Sequence, residues 1–124
     1  MTVEYIKEAA FLQEVTAAGE LWVAKGAYGN IYCDEFDPRG VSLPVWSNRE
    51  RVVAFLKNAR PIGPKYEPEA VSLEVFTNRW LSDRAMAITE IQLNPDGLTS
   101  RVLVVSAEEF RSDQAKGRPQ GGSP

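Results

Sequence analysis

Val41-Ser42-Leu43-Pro44-Val45-Trp46-Ser47-Asn48-Arg49-Glu50 carries a strand and the start of a helix with almost nothing between them. Apolar side chains alternate at period two up to Trp46, the pattern of a strand that buries one face. Pro44 has no N–H for a ladder, which predicts an edge strand or an early end. Ser47-Asn48-Arg49-Glu50 then reads as a capping box, in which the Ser47 hydroxyl accepts from the Glu50 amide and the Glu50 carboxylate reaches back. Val52, Phe55, Leu56 and Ala59 follow at helical spacing, and Pro61, Gly63 and Pro64 end the helix.

Working outward, residues 2–18 read as a helix. Thr2 is the cap, Ile6, Ala10, Phe11 and Val15 form the apolar stripe, and Gly19 sits where a left-handed C-terminal residue is expected. Glu20–Ala24 and Asn30–Phe36 are strand candidates joined by Lys25-Gly26-Ala27-Tyr28-Gly29, whose glycines suit a hairpin loop. Trp22 and Tyr32 are expected to pair across that hairpin. Asp37-Pro38-Arg39-Gly40 reads as a turn. Beyond the central helix lie a Pro-rich connector over 61–68, a short strand at Glu69-Ala70-Val71, and a third helix. Ser72 caps that helix, and Leu73, Phe76, Trp80 and Leu81 share one of its faces. Met86–Leu93 and Arg101–Val105 read as strands joined through Asn94-Pro95-Asp96-Gly97. Ser106-Ala107-Glu108-Glu109 opens a short final helix anchored by Phe110.

The order α-β-β-β-α-β-α-β-β-α predicts an α+β fold: a small antiparallel or mixed sheet of five to six strands, with three main helices packed on one face and a short C-terminal helix. Strict strand–helix alternation is missing, so a doubly wound sheet is not expected. At 124 residues, with 44% hydrophobic residues, the chain builds one core and not two. The domain is expected over 1–112. The polar, glycine-rich stretch 113–124 is expected to be a disordered tail, having no large apolar side chain to offset its ordering entropy.

Composition excludes several chemistries. The chain has no His and one cysteine, Cys33. A structural zinc site needs about four such ligands, and a histidine base is required by the common serine and cysteine nucleophiles. No metal, cofactor or catalytic residue is therefore assigned. A net charge of −3 disfavours phosphate neutralisation, so nucleic acid is not the expected partner. Only Arg39, Arg49, Arg51, Lys57 and Arg60, gathered on one face, could supply a basic surface. The longest apolar runs are far short of the ~20 residues of a membrane helix, and the start shows no secretory signal. With one cysteine, a reducing cytoplasm is the expected compartment.

Three local patterns invite a functional reading. Asp34, Glu35 and Asp37 lack the spacing of a calcium loop, and Pro38 interrupts them, so they read as a solvated turn. Gly26-Ala27-Tyr28-Gly29 has no Gly-Lys-Ser/Thr ending and joins two strands, which fits a hairpin and not a phosphate loop. The aromatics Trp22, Tyr28, Tyr32, Trp46, Tyr66 and Trp80 divide between core and surface. Trp22, Tyr28 and Trp46, with Arg49 beside the last, are the interface candidates.

Leu43-Pro44-Val45-Trp46-Ser47-Asn48-Arg49-Glu50, then Tyr66-Glu67-Pro68, then Leu73, Phe76, Trp80 and Leu81, make the chain resemble a bacterial family known as domain of unknown function twenty-seven fifty. In that family a strand with Trp-x-Leu precedes a Leu-Pro-Val-Trp element and a helix, and a Tyr-Glu-Pro connector leads to a helix with a Trp-Leu pair. Trp22-Val23-Ala24 stands at the first element here. The similarity spans roughly residues 11–105. It implies a small bacterial cytoplasmic domain, and it carries over no catalytic residues because the family has no assigned activity.

The reading that results is a non-enzymatic protein-interaction module of regulatory, accessory or immunity type, whose partner is another protein and which could form a homodimer. The alternatives are a small-molecule-binding or carboxylate-based enzyme domain, and a nucleic-acid accessory protein using the basic second helix.

Overall fold

Strand parity divides the side chains between two apolar clusters, and the helices follow that division. The computed structural model describes residues 3–35, 40–99 and 102–117. Its elements are α1 (Val3–Ala18), β1 (Glu20–Gly26), β2 (Asp34–Glu35), β3 (Val41–Val45), α2 (Arg49–Asn58), β4 (Tyr66–Ser72), α3 (Leu73–Val75), β5 (Ile88–Leu93), β6 (Leu103–Ser106) and α4 (Ala107–Gly117). The α+β class holds, with four helices and six strands.

The strands form a β1–β4 ribbon and a four-stranded sheet in the order β2-β3-β5-β6. β3 and β5 run parallel while the other pairs are antiparallel, so the sheet is mixed. The two sheets are stitched at one point. Trp22 and Trp46 exchange both backbone hydrogen bonds, at 2.8 and 2.9 Å.

One face of this assembly carries Leu21, Val23, Leu43, Val45, Val71, Ile91, Leu93 and Val105, covered by Phe11 and Val15 of α1, Phe76, and Phe110 of α4. The opposite face carries Ala24 and Trp46, covered by Val52 and Phe55 of α2. Helices therefore lie on both faces, and the expectation of one covered face is corrected. The cause is the period-two alternation itself: neighbours such as Val23 and Ala24 are both buried, so each face needs its own cover.

Pro44 does not mark an edge strand. β3 has β5 along one side, while its other side is shared by β2 at Val41 and Ser42 and by Trp22 at Trp46. Pro44 falls in the gap between those two partners, where no N–H is demanded. The segment expected as a strand over 30–36 is likewise shared. Ile31 bridges Lys25, and only Asp34 and Glu35 pair with β3. Phe36 lies outside the described residues.

In β1, Trp22 turns its polar backbone groups to Trp46, the Ala24 carbonyl accepts from Tyr32, and the Gly26 amide donates to Asn30. Alternation then leaves Leu21, Val23 and Lys25 to bond Val71, Glu69 and Glu67 of β4, their register partners. Pro68 consequently points its missing donor at the open side of β4. β4 itself is longer than the three residues expected and begins inside the Pro-rich connector.

The ends of elements follow local chemistry. Gly19 is left-handed at φ 72 and its amide closes α1 on the Val15 carbonyl, as its position predicted. Ala10 is exposed and not part of the buried stripe; Thr2 lies outside the described residues. Ser72 caps α3 through the Val75 amide, after which the chain widens into a π-turn over Phe76–Trp80. Ser106 caps α4 through the Glu109 amide. α4 remains helical to Gly117, inside the stretch read as a tail; residues 118–124 lie outside the described residues. β5 begins at Ile88, since Met86 and Ala87 form a turn in which Ala87 has φ 52. β6 begins at Leu103, and Arg101 lies outside the described residues.

Candidate functional site

The four interface candidates separate into Trp46 and Trp22 in or against the core, Tyr28 at an exposed tip, and Arg49 on the surface of α2. Trp46 is 0% exposed. Its indole N–H donates to the Pro95 carbonyl at 2.8 Å, and its ring lies 5.0 Å from that of Phe55. It is a core residue and cannot touch a partner directly, which corrects its place among surface candidates. The reason is α2: the helix begins three residues after Trp46 and folds Val52 and Phe55 back over it. Trp22 is half-buried against the same cluster, bonded to Trp46 on one side and in register with Ala70 on the other. It does not pair with Tyr32. Arg49 is exposed in the first turn of α2.

The helix start differs from the capping box by one residue. Asn48 is the cap, its side chain accepting from the Arg51 amide at 2.9 Å. Ser47 is buried and already engaged. Its amide donates to Asn94 Oδ1 at 2.9 Å, its hydroxyl accepts from Asn94 Nδ2 at 3.2 Å, and that hydroxyl also reaches Glu14. Asn94 manages this from a left-handed conformation, φ 52, that asparagine tolerates. Asn48 Nδ2 donates to Glu14 at 2.7 Å. The Ser47 hydroxyl and the Asn48 amide hold the Glu14 carboxyl below its usual range against the opposing effect of burial, with a lesser contribution from the Arg51 charge.

Tyr28 stands at the other end of β1, 99% exposed on the loop between Gly26 and Asn30. The loop is fixed: Gly26 N–H donates to the Asn30 carbonyl at 2.7 Å, Gly29 N–H to the Gly26 carbonyl at 3.0 Å, and Gly29 is left-handed at φ 84. Asn30 Nδ2 donates to the Tyr66 hydroxyl at 3.4 Å. Tyr66 meets Tyr32 edge-on at 5.4 Å, and Tyr32 meets Phe55 at 5.8 Å. Both tyrosines are half-buried, so the tip rests on an aromatic shelf rooted in the α2 cluster.

A polar strip continues from this shelf across the sheet. Gln92 Nε2 donates to Asp34 Oδ2 at 2.7 Å and to Ser42 Oγ at 2.9 Å, and Ser42 Oγ donates to Glu90 Oε2 at 2.7 Å. Sequence reading passed over Asn30, Ser42, Glu90 and Gln92. The available signal was strand parity, which puts Ser42, Glu90 and Gln92 opposite the main core.

The ionisable groups whose pKa values move all move away from neutrality. Burial, the Asp34 charge and Tyr66 push the Tyr32 phenol up. Burial and then Glu35 and Asp34 push the Cys33 thiol up, which leaves it a protonated, half-buried side chain against the core. Asp96 is pulled down by the Thr99 and Leu98 amides. Neither lowered carboxyl is held as a general acid. Among the described residues, no group of three or more Cys, Asp or Glu side chains converges as a metal site, and no helix is long and apolar enough to cross a membrane. Arg51, Lys57 and Arg60 are exposed on or beside α2 with Glu50 among them, while Arg39 lies outside the described residues.

A model of the family described as "Protein of unknown function (DUF2750)" matches residues 8–113. No curated protein matches the chain.

Proposed function

The chain belongs to the DUF2750 family of proteins of unknown function, and from that premise we propose that it is a non-enzymatic protein-interaction module of the bacterial cytoplasm, of regulatory, accessory or immunity type, which docks another protein through the Tyr28 hairpin. One observation carries this reading: a fully solvated tyrosine on a loop that hydrogen bonds already hold in place. A rigid aromatic offers a large contact area and loses little side-chain freedom on docking, which is why tyrosine is frequent at contact hot spots. The charge balance, −3 overall, favours a protein over a nucleic acid as that partner.

The test is affinity capture from the native lysate with the wild-type chain and Tyr28→Ala, the captured protein then being purified and titrated against both. Loss of binding in Tyr28→Ala, with an unchanged circular dichroism spectrum, supports the proposal. Equal affinity for both chains removes the hairpin from it.

The strip Asp34–Gln92–Ser42–Glu90 favours a second reading, a small-molecule-binding domain whose ligand carries hydrogen-bond donors. Under that reading Gln92→Ala abolishes binding and Tyr28→Ala does not.

A further inference from the structure

Among the described residues, the two sheets leave three open strand edges, and the residues on them differ in kind. β2 offers two residues, both carboxylates, Asp34 and Glu35. β4 turns Pro68 outward, with no N–H to give, and carries Glu67 and Glu69 on either side. Proline, charge and shortness are the usual means by which an edge is kept from pairing. β6 is four residues long and carries neither of the other two. Val102, Leu103, Val104, Val105 and Ser106 include no charge and no proline.

The ladder fixes which groups β6 leaves open. The Asn94 amide donates to the Val45 carbonyl of β3 at 2.9 Å, so alternation turns Gln92 and Glu90 to β3, and Ile91 and Leu93 to β6. Their register partners are Val105 and Leu103. Val104 lies between those two and turns its N–H and C=O outward, and its side chain is 41% exposed. Val102 and Leu103 are each half-exposed.

From this edge we infer that β6 pairs antiparallel with β6 of a second copy of the chain, about a two-fold axis at Val104. A second copy fits better than another strand for two reasons. In a two-fold pairing the residue on the axis meets its own symmetry mate, and each residue beside it meets the one equally far on the other side, so a charge on the axis would face a like charge; Val104 is uncharged, and so are Val102, Leu103, Val105 and Ser106. Centred on Val104, the outward groups of Val102 also come opposite the N–H of Ser106, so the edge is complementary to itself in spacing up to the start of α4. Pairing with β4 instead would leave Pro68 without a bond to give and would continue as an open chain of molecules, whereas β6 on β6 closes at two.

The deciding variant is Val104→Pro, because the N–H it removes makes no bond within the chain. Sedimentation velocity over a concentration series should show a dimer for the wild type. In Val104→Pro, which loses two intermolecular bonds per dimer, the dissociation constant should rise roughly ten- to hundredfold. Val104→Lys, which places two ammonium groups opposite each other and keeps the N–H, should also shift the chain to monomer and decides the matter if the proline variant does not fold. Hydrogen exchange at the Val104 amide should slow as concentration rises. A wild-type chain that stays monomeric throughout, or a dimer that survives in a folded Val104→Lys variant, overturns the inference.

Discussion

Trp46 and Tyr28 belong to the same class of residue in the sequence and meet opposite fates in the structure. Trp46 ends a strand, is joined within three residues to a helix that folds back, and receives a hydrogen bond partner from Pro95 on a distant loop. Tyr28 sits on a loop that Gly26 and Gly29 close, and nothing among the described residues covers it. The comparison shows that the connection following an aromatic residue decides its exposure more than the residue type does. A short link to a capped helix brings cover, and a tight turn carries the ring into water.

The sharpest way to break the comparison is to remove each ring. Trp46→Ala should cost about 3–5 kcal/mol, since it leaves a cavity between Phe55 and Trp22 and strands the Pro95 carbonyl. Tyr28→Ala should change stability by no more than about 0.5 kcal/mol, as expected of an exposed side chain that supports nothing. Urea denaturation of the two variants checks both values. If they destabilise equally, Tyr28 is held by contacts within the chain and its role as a free contact residue fails. Trp46→Ala is for the same reason unusable as a binding control.

The next effect separates the two residues that compete for the cap of α2. Ser47→Ala should cost about 1–3 kcal/mol, because it removes a buried hydroxyl and leaves the half-buried Asn94 amide short of an acceptor. Asn48→Ala should cost about 1 kcal/mol, the usual loss for an N-cap. Thermal unfolding of each ranks them. The reverse order would restore Ser47 as the cap.

These residues also show what the sequence could disclose. The helix start after Trp46 was legible to within one position, because a polar run preceding apolar residues at i, i+3, i+4 and i+7 has few other meanings. Ser47 and Asn48 could not be separated, since the residue that claims Ser47 is Asn94, forty-seven positions away. The same limit hid the sharing of β3's second side by β1 and β2, which Pro44 records only as a missing donor. The glycines around Tyr28 gave a local sign of its exposure, whereas the burial of Trp46 required knowledge of where α2 would lie. The strip of Ser42, Glu90 and Gln92 went unread because it depends on the parallel register of β3 and β5. No local pattern encodes that register.

The smallest predicted effect sets the two regions at opposite ends of the pH scale. Glu14 is tied to Ser47 and Asn48 beside Trp46, and its carboxyl lies below the usual range in the folded chain. The unfolded chain therefore takes up the proton first. The stability this supplies is present above the unfolded pKa and is lost as pH falls through the folded one. Tyr32, under the Tyr28 tip, is raised by burial and by Asp34. Here the folded chain holds the proton longer, so the stability is present below the phenol's unfolded pKa and is lost as pH rises through the folded one. Glu14→Gln should flatten the acid limb of a stability–pH curve and leave the alkaline limb alone, while Tyr32→Phe should do the reverse. Glu14 is exposed and Tyr32 only half-buried, so each change should be a modest flattening of one limb. A Glu14→Gln variant that loses stability equally at every pH would mean that its bonds to Ser47 and Asn48 act through shape and not charge. The Trp46 region would then be held by packing and neutral hydrogen bonds, with no contribution from charge.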